Sequence, residues 1–175
     1  MTAGMLKDME LLQFPDERLR RVSEPVENFD KELKFLSKEM LKIMYQSNGI
    51  GLAAPQVNKT IRMIVLDVSE KRDQPMVFVN PRLEKVAGNI DSSEGCLSVP
   101  EIRTTIQRYK QIELFAQNID GSAIRMEADD LLSICIQHEI DHLKGFVFLD
   151  RMKDFKQLSY EEEFEKFWLK KEDAP

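Results

Sequence analysis

His138 and His142 are the only two histidines in the chain, and they stand four residues apart in His138-Glu139-Ile140-Asp141-His142. On a helix that spacing stacks both imidazoles on one face, about 6 Å apart along the axis, where they can hold a single metal ion. Glu139 then projects roughly 100° round from His138, within reach of a water at such an ion, and a carboxylate there suits a general base. The bland alternative is a pair of hydrogen-bonded core histidines. It is disfavoured because burying two imidazoles and two carboxylates in one helical turn is costly without a metal or a full set of partners.

Two imidazoles fall short of a catalytic site, which usually takes three protein ligands and leaves the fourth position to water. No further histidine exists, so the third ligand must be Cys96, Cys135 or a carboxylate. Cys135 shares the helix face but lies about 7.5 Å of helical rise from the midpoint between the histidines, a gap that a Cys side chain and a metal–sulfur bond of about 2.3 Å do not easily span. It is expected instead as a small pocket or core residue. Cys96 lies in Glu94-Gly95-Cys96-Leu97-Ser98-Val99-Pro100, opened by a glycine and closed by a proline, and is the better third ligand. Two other readings stay open for it. One is an inert buried thiol; the other is a nucleophile working with one imidazole, which would leave the second histidine and Glu139 without a role.

These residues need a scaffold. A helix is expected from about Asp30 to Ser47, because Leu33, Leu36, Met40, Ile43 and Met44 recur at three- and four-residue steps, and it should end at Asn48 and Gly49. The following Gly49-Ile50-Gly51-Leu52-Ala53-Ala54-Pro55-Gln56-Val57 is small and apolar, and suits the wall of a site. Strands are expected over Ile61 to Val68, Met76 to Asn80 (stopped by Pro81), Gln111 to Asn118 and, after a turn through Asp120 and Gly121, Ala123 to Ala128. Asp129 or Asp130 should cap the helix that carries the histidines. That helix is apolar on most sides and should stop at Gly145. Ser159 and Glu162 form a capping box for a last helix, about residues 159–171, with Phe164, Phe167 and Trp168 as its stripe. The expected class is α+β: mixed or antiparallel sheets around a central metal-binding helix, with flanking N-terminal and C-terminal helices.

Composition narrows the function. At 175 residues with 42% hydrophobic and 32% charged, residues 1–175 fit one domain and exclude general disorder. The net charge of -6 argues against direct nucleic-acid specificity. Two cysteines are too few for a disulfide scaffold, and no run reaches the roughly 18 apolar residues of a membrane span, so a cytoplasmic protein with no membrane partner is expected.

Three segments taken together resemble the peptide deformylase family: Gly49-Ile50-Gly51-Leu52-Ala53-Ala54-Pro55-Gln56, Glu94-Gly95-Cys96-Leu97-Ser98, and Gln137-His138-Glu139-Ile140-Asp141-His142-Leu143. With Pro15-Asp16-Glu17-Arg18-Leu19-Arg20 and Ile64 to Glu70, the likeness runs from about residue 14 to 150 and is similar to the type found in Gram-negative bacteria. The resemblance implies a hydrolase that removes the formyl group from the N-terminal formyl-methionine of newly made proteins and releases formate. It implies Cys96, His138 and His142 as ligands of one divalent metal, Fe2+, for which Zn2+, Ni2+ or Co2+ substitutes. It also implies Glu139 as the base, with the Gln56 side-chain amide and the Leu97 backbone N–H on the oxyanion. Ile50, Gly51, Glu94, Gly95, Leu131, Ile134, Cys135 and Arg103 would bind substrate; of Arg103 and Arg108, one would pair with Glu94 and the other meet the peptide. Asp141 would fix a neighbouring group.

Two rival functions share the His-Glu-His helix: a zincin-like metallopeptidase and a non-enzymatic metal-stabilised binding module. Only the first family reading demands a formyl group. Family members of this type often dock on the ribosome through a basic C-terminal helix, but Glu161 to Pro175 here holds six acidic residues against three lysines, which weakens the expectation of transient ribosome contact through this tail. A monomer is the expected state.

Overall fold

The structure is a computed structural model that describes residues 9–152. Helix α1, Lys31–Gln46, starts where Asp30 accepts the Leu33 N–H at 2.9 Å, and it buries Leu33, Leu36, Met40 and Met44. It stops at Asn48, whose backbone is left-handed, and the chain turns into β1, Gly51–Ala53. A 3-10 turn over Ala54–Val57 follows, begun by Pro55 near its first position. Strand β2, Met63–Leu66, is buried at every residue. Its alternation divides the core: Met63 and Val65 join the side chains of α1, while Ile64 and Leu66 face the second helix.

Strand β3 spans Met76–Ala87, so Pro81 does not end it as the sequence suggests. The pairing with the next strand shifts register between Val79 and Arg82, and a proline at such an irregularity removes no ladder hydrogen bond. Asn80 adopts a left-handed backbone there, and its side chain bonds the Val26 N–H (2.8 Å) and the Val26 carbonyl (2.9 Å). Strands β4 (Ile90–Cys96) and β5 (Val99–Arg108) form a separate two-stranded sheet that the sequence did not suggest. Their residues are mostly polar, with little apolar alternation; the hairpin is held by its pairing and by Val99 and Ile106 packing on Val147, Phe148 and Leu149. Strands β6 (Gln111–Gln117) and β7 (Ala123–Asp129) complete an antiparallel sheet of order β1-β2-β3-β6-β7.

Helix α2, Asp130–Leu143, lies on the sheet face opposite α1 and packs Ile136, Ile140 and Leu143 against Ile64, Leu66, Phe78 and Leu114. Asp129 occupies the cap position but makes no side-chain capping bond, and Asp130 has a left-handed backbone. The entry is fixed instead by Asp130 N–H donating to the Lys110 carbonyl at 3.0 Å, so the expected aspartate cap is not formed. Gly145 ends the helix region with a positive φ, and a Cβ there would collide with the backbone of Arg20. A last 3-10 turn, Phe148–Arg151, folds back under α2. The elements and their antiparallel pairing make the fold α+β. The capping box at Ser159 and the helix over 159–171 fall outside the described residues.

Candidate metal centre

Each donor reaches the centre by a local device. Helix α2 carries His138 and His142 on one face, with ring centroids 5.2 Å apart. Cys96 arrives at the tip of the β4–β5 hairpin, where it pairs with Val99 across the two-residue turn Leu97–Ser98. Beyond the turn, the register jumps from Cys96↔Val99 to Glu94↔Thr104, so residues 100–103 loop outward beside the site. The turn is braced from two sides: the Ser98 carbonyl accepts the Phe14 N–H at 2.7 Å, and the Ser98 hydroxyl accepts from Gln56 Nε2 at 3.0 Å. Gln56 in turn is fixed by accepting the Ala53 N–H at 2.8 Å, and its Nε2 lies 3.6 Å from Cys96 Sγ.

One ligand atom from each of Cys96, His138 and His142 lies within 4.8 Å of the others, and Cys96 Sγ is 3.3 Å from His142 Nε2. The donor set fits a divalent transition metal, since thiolate and imidazole nitrogen are its common ligands. The surroundings agree. His138 Nδ1 is 2.9 Å from Glu94 Oε2, which orients the ring and leaves the other nitrogen to the centre. Burial pushes the His142 pKa well down, whereas for His138 burial is outweighed by Cys96 and Glu94 and the pKa moves well up. Glu139 Oε2 is buried with no hydrogen-bond partner among the described residues, an arrangement that calls for something at the centre.

Glu139 sits against the bare Cα of Gly51, where a Cβ would run into its carboxylate and come within 2.9 Å of Cys135 Sγ. Burial pushes its carboxyl up to about 7. The same burial raises the Cys135 thiol, which lies 3.7 Å from the Ile50 carbonyl and outside the three-ligand group. Glu94 is held below the usual carboxylate range: burial opposes its charge, but Arg108 and His138 outweigh it. Arg108 donates to both Glu94 oxygens, at 2.7 and 2.9 Å, and to Asp141 at 2.6 Å. Arg103 does not meet Glu94; its guanidinium binds the Ser93 carbonyl at 2.8 Å.

A cleft of about 610 Å3 opens onto this arrangement. Ile50, Gly51, Glu94, Gly95, Leu131, Ile134, Cys135 and Arg103 all line it, together with Gln56, Leu97, Cys96, His138 and Glu139. His142 lies behind, and so does Asp141, which joins Arg108 and Arg151 away from the cleft. Sequence reading missed three participants: Ser98, Phe148, whose ring stacks on His138 at 6.0 Å between centroids, and Arg151. Ser98 was within reach, as it closes the Cys96 segment. Phe148 and Arg151 carry no periodic signal and meet α2 only because the chain reverses at Gly145.

The family model described as polypeptide deformylase matches residues 8–158 of this chain. The peptide deformylase of Hamiltonella defensa subsp. Acyrthosiphon pisum (strain 5AT) is 46% identical over 158 residues, which cover 90% of this chain and 92% of that protein. That of Neisseria meningitidis serogroup C is 46% identical over 149 residues, 85% of this chain and 89% of the relative. A crystal structure of a peptide deformylase from Legionella pneumophila superposes with a TM-score of 0.83 at 35% identity, covering 95% of this chain and 99% of that one. One from Synechococcus elongatus, in complex with actinonin, gives 0.82 at 37% identity, with 95% and 89% covered.

Proposed function

This chain belongs to the polypeptide deformylase family, and on that premise we propose how its own residues divide the work of a metal-dependent deformylase acting on formylated nascent peptides. Cys96, His138 and His142 hold the metal. A divalent cation held there supplies Lewis acidity and makes water acidic enough to lose a proton near neutral pH. Glu139 accepts that proton and later returns it to the amine of the departing peptide, while formate is released. Glu139 lines the cleft, and its buried Oε2 has no hydrogen-bond partner among the described residues, which supports the role.

Negative charge gathers on the formyl oxygen during attack. Gln56 Nε2 and the Leu97 backbone N–H are the donors assigned to it, and both belong to segments braced through Ser98. The peptide lies extended between Gly49–Gly51 and Glu94–Leu97, where the glycines let main chain approach main chain. Ile50, Leu131, Ile134 and Cys135 give the methionine side chain an apolar slot. Arg103, at the rim, faces the peptide beyond it, while Glu94 acts on His138 and on the shape of the slot. The resident metal is Fe2+ by family resemblance; Zn2+, Ni2+ and Co2+ suit the same donors.

The observation that carries this reading is the meeting of one thiol and two imidazoles within 4.8 Å at the floor of the cleft that Glu139 faces. Formate release from formyl-Met-Ala-Ser by anaerobically iron-loaded protein tests it. Chelator-sensitive release with an intact tripeptide is the expected result. Metal binding without formate release would refute it, and cleavage of unformylated internal bonds would point to a peptidase.

A further inference from the structure

His138 is held through a chain of charges that does not end at Glu94. Glu94 Oε2 meets His138 Nδ1 at 2.9 Å; both Glu94 oxygens accept from Arg108; Arg108 reaches Asp141 at 2.6 Å. Asp141 then accepts two hydrogen bonds from Arg151, at 3.0 Å from Nε and 2.5 Å from the terminal nitrogen. Glu94, Arg108 and Asp141 are almost fully buried, whereas the Arg151 side chain is 47% exposed and closes the chain toward solvent. A pocket of about 270 Å3, lined by Arg108, Asp141 and Arg151 among others, adjoins it, so the chain is not locked by close packing alone.

Arg151 is itself well placed. Its guanidinium lies 5.9 Å from the Phe146 ring, and the preceding Asp150 binds the Val147 N–H at 2.8 Å and forms an ion pair with Arg20. The 3-10 turn that carries Arg151 also presents Phe148 to the His138 ring. We propose that Arg151 is a positioning residue for the metal centre, holding Asp141 so that Arg108 keeps Glu94, and Glu94 keeps His138, in the orientation that ligation needs. Without Arg151, Asp141 has Arg108 as its remaining ion-pair partner among the described residues. Because a guanidinium is a rigid plane, a shift toward Asp141 moves both of its bonds to Glu94. An ordinary half-exposed ion pair would contribute little and act on nothing beyond itself.

The inference rests on His138 being a metal ligand, and the test separates the two. Cobalt-loaded protein is mixed with excess chelator, and metal loss is followed together with the visible absorption of the cobalt–thiolate centre. The variants are Arg151→Met, which keeps the stem over Phe146, Arg151→Lys, His138→Ala, and Arg82→Ala as a surface ion-pair control. Arg151→Met should lose cobalt about tenfold faster than the parent, with a shifted spectrum; Arg151→Lys should fall between, and Arg82→Ala should match the parent. Unchanged loss in Arg151→Met, or equal acceleration in Arg82→Ala, overturns the proposal. Should His138→Ala keep cobalt as the parent does, the ligand assignment fails and the inference falls with it.

Discussion

At the residue scale the centre is sensitive to single atoms. Glu139→Gln is nearly isosteric but cannot take a proton, so it should retain metal while kcat falls by roughly 10²–10⁴. Formate release and metal content on one preparation check this, and an active, metal-replete Glu139→Gln enzyme refutes the base. With Cys96 as a proposed ligand, Cys96→Ala should fail to retain the metal at all. Gly51→Ala adds one methyl that would run into the Glu139 carboxylate and Cys135 Sγ, so the base must move. Activity should drop in that variant while its metal content stays level, since the atoms nearest the added methyl belong to Glu139 and Cys135 rather than to the proposed ligands.

At the element scale, the two helices hold the centre by clamping one sheet. Ile136 is fully buried between α2 and the sheet, and Ile136→Ala should cost about 2–5 kcal/mol in chemical denaturation. A smaller loss would mean that α2 is fixed mainly by its polar network. The loop after β2 is tied down differently. Asp67 N–H donates to the Ile50 carbonyl at 2.9 Å, while its buried carboxylate accepts from Ser69, from the Tyr45 hydroxyl at 2.6 Å and from Gln74 N–H. Burial opposes the charge of Asp67, yet these bonds outweigh it and lower its pKa from 3.8 to about 2. A carboxyl with a depressed folded pKa stabilises the fold above its ordinary value and loses that contribution as pH falls toward the folded one. The stability advantage over Asp67→Asn should therefore be full above pH 3.8 and fade toward pH 2 in acid unfolding curves.

At the scale of the whole molecule, a metal held by Cys96, His138 and His142 would join parts that the chain keeps far apart. Cys96 belongs to the small hairpin sheet and the histidines to the helix on the main sheet, so a bound ion links the two units and stabilises the native state by mass action. Chelation should lower the melting temperature of the metal-loaded protein and leave that of Cys96→Ala unmoved; equal shifts in both would place the ion elsewhere. A thiolate beside ferrous iron invites oxidation, so the iron form should lose activity in air faster than the nickel form. Equal decay would rule out oxidation at the centre. Among the described residues no helix is long and apolar enough to cross a membrane.

Much of this was legible without coordinates, because local periodicity encodes local structure. The four-residue step between His138 and His142 sets two donors on one helical face whatever the rest of the chain does, and the apolar stripe from Leu33 to Met44 specifies α1 in the same way. Rise along a helix also separates Cys135 from the histidines by geometry alone. Tertiary structure decided what depends on distant partners. The β4–β5 hairpin is polar and takes its shape from pairing and from the Phe148 cluster. Pro81 remains in a strand because a register shift absorbs it. Arg108, rather than Arg103, meets Glu94 because the register of β4 against β5 and the outward loop at residues 100–103 turn one arginine into the core and the other to the rim. Arg151 reaches Asp141 only after the chain reverses at Gly145, and no spacing along a sequence records which charges a reversal will bring together.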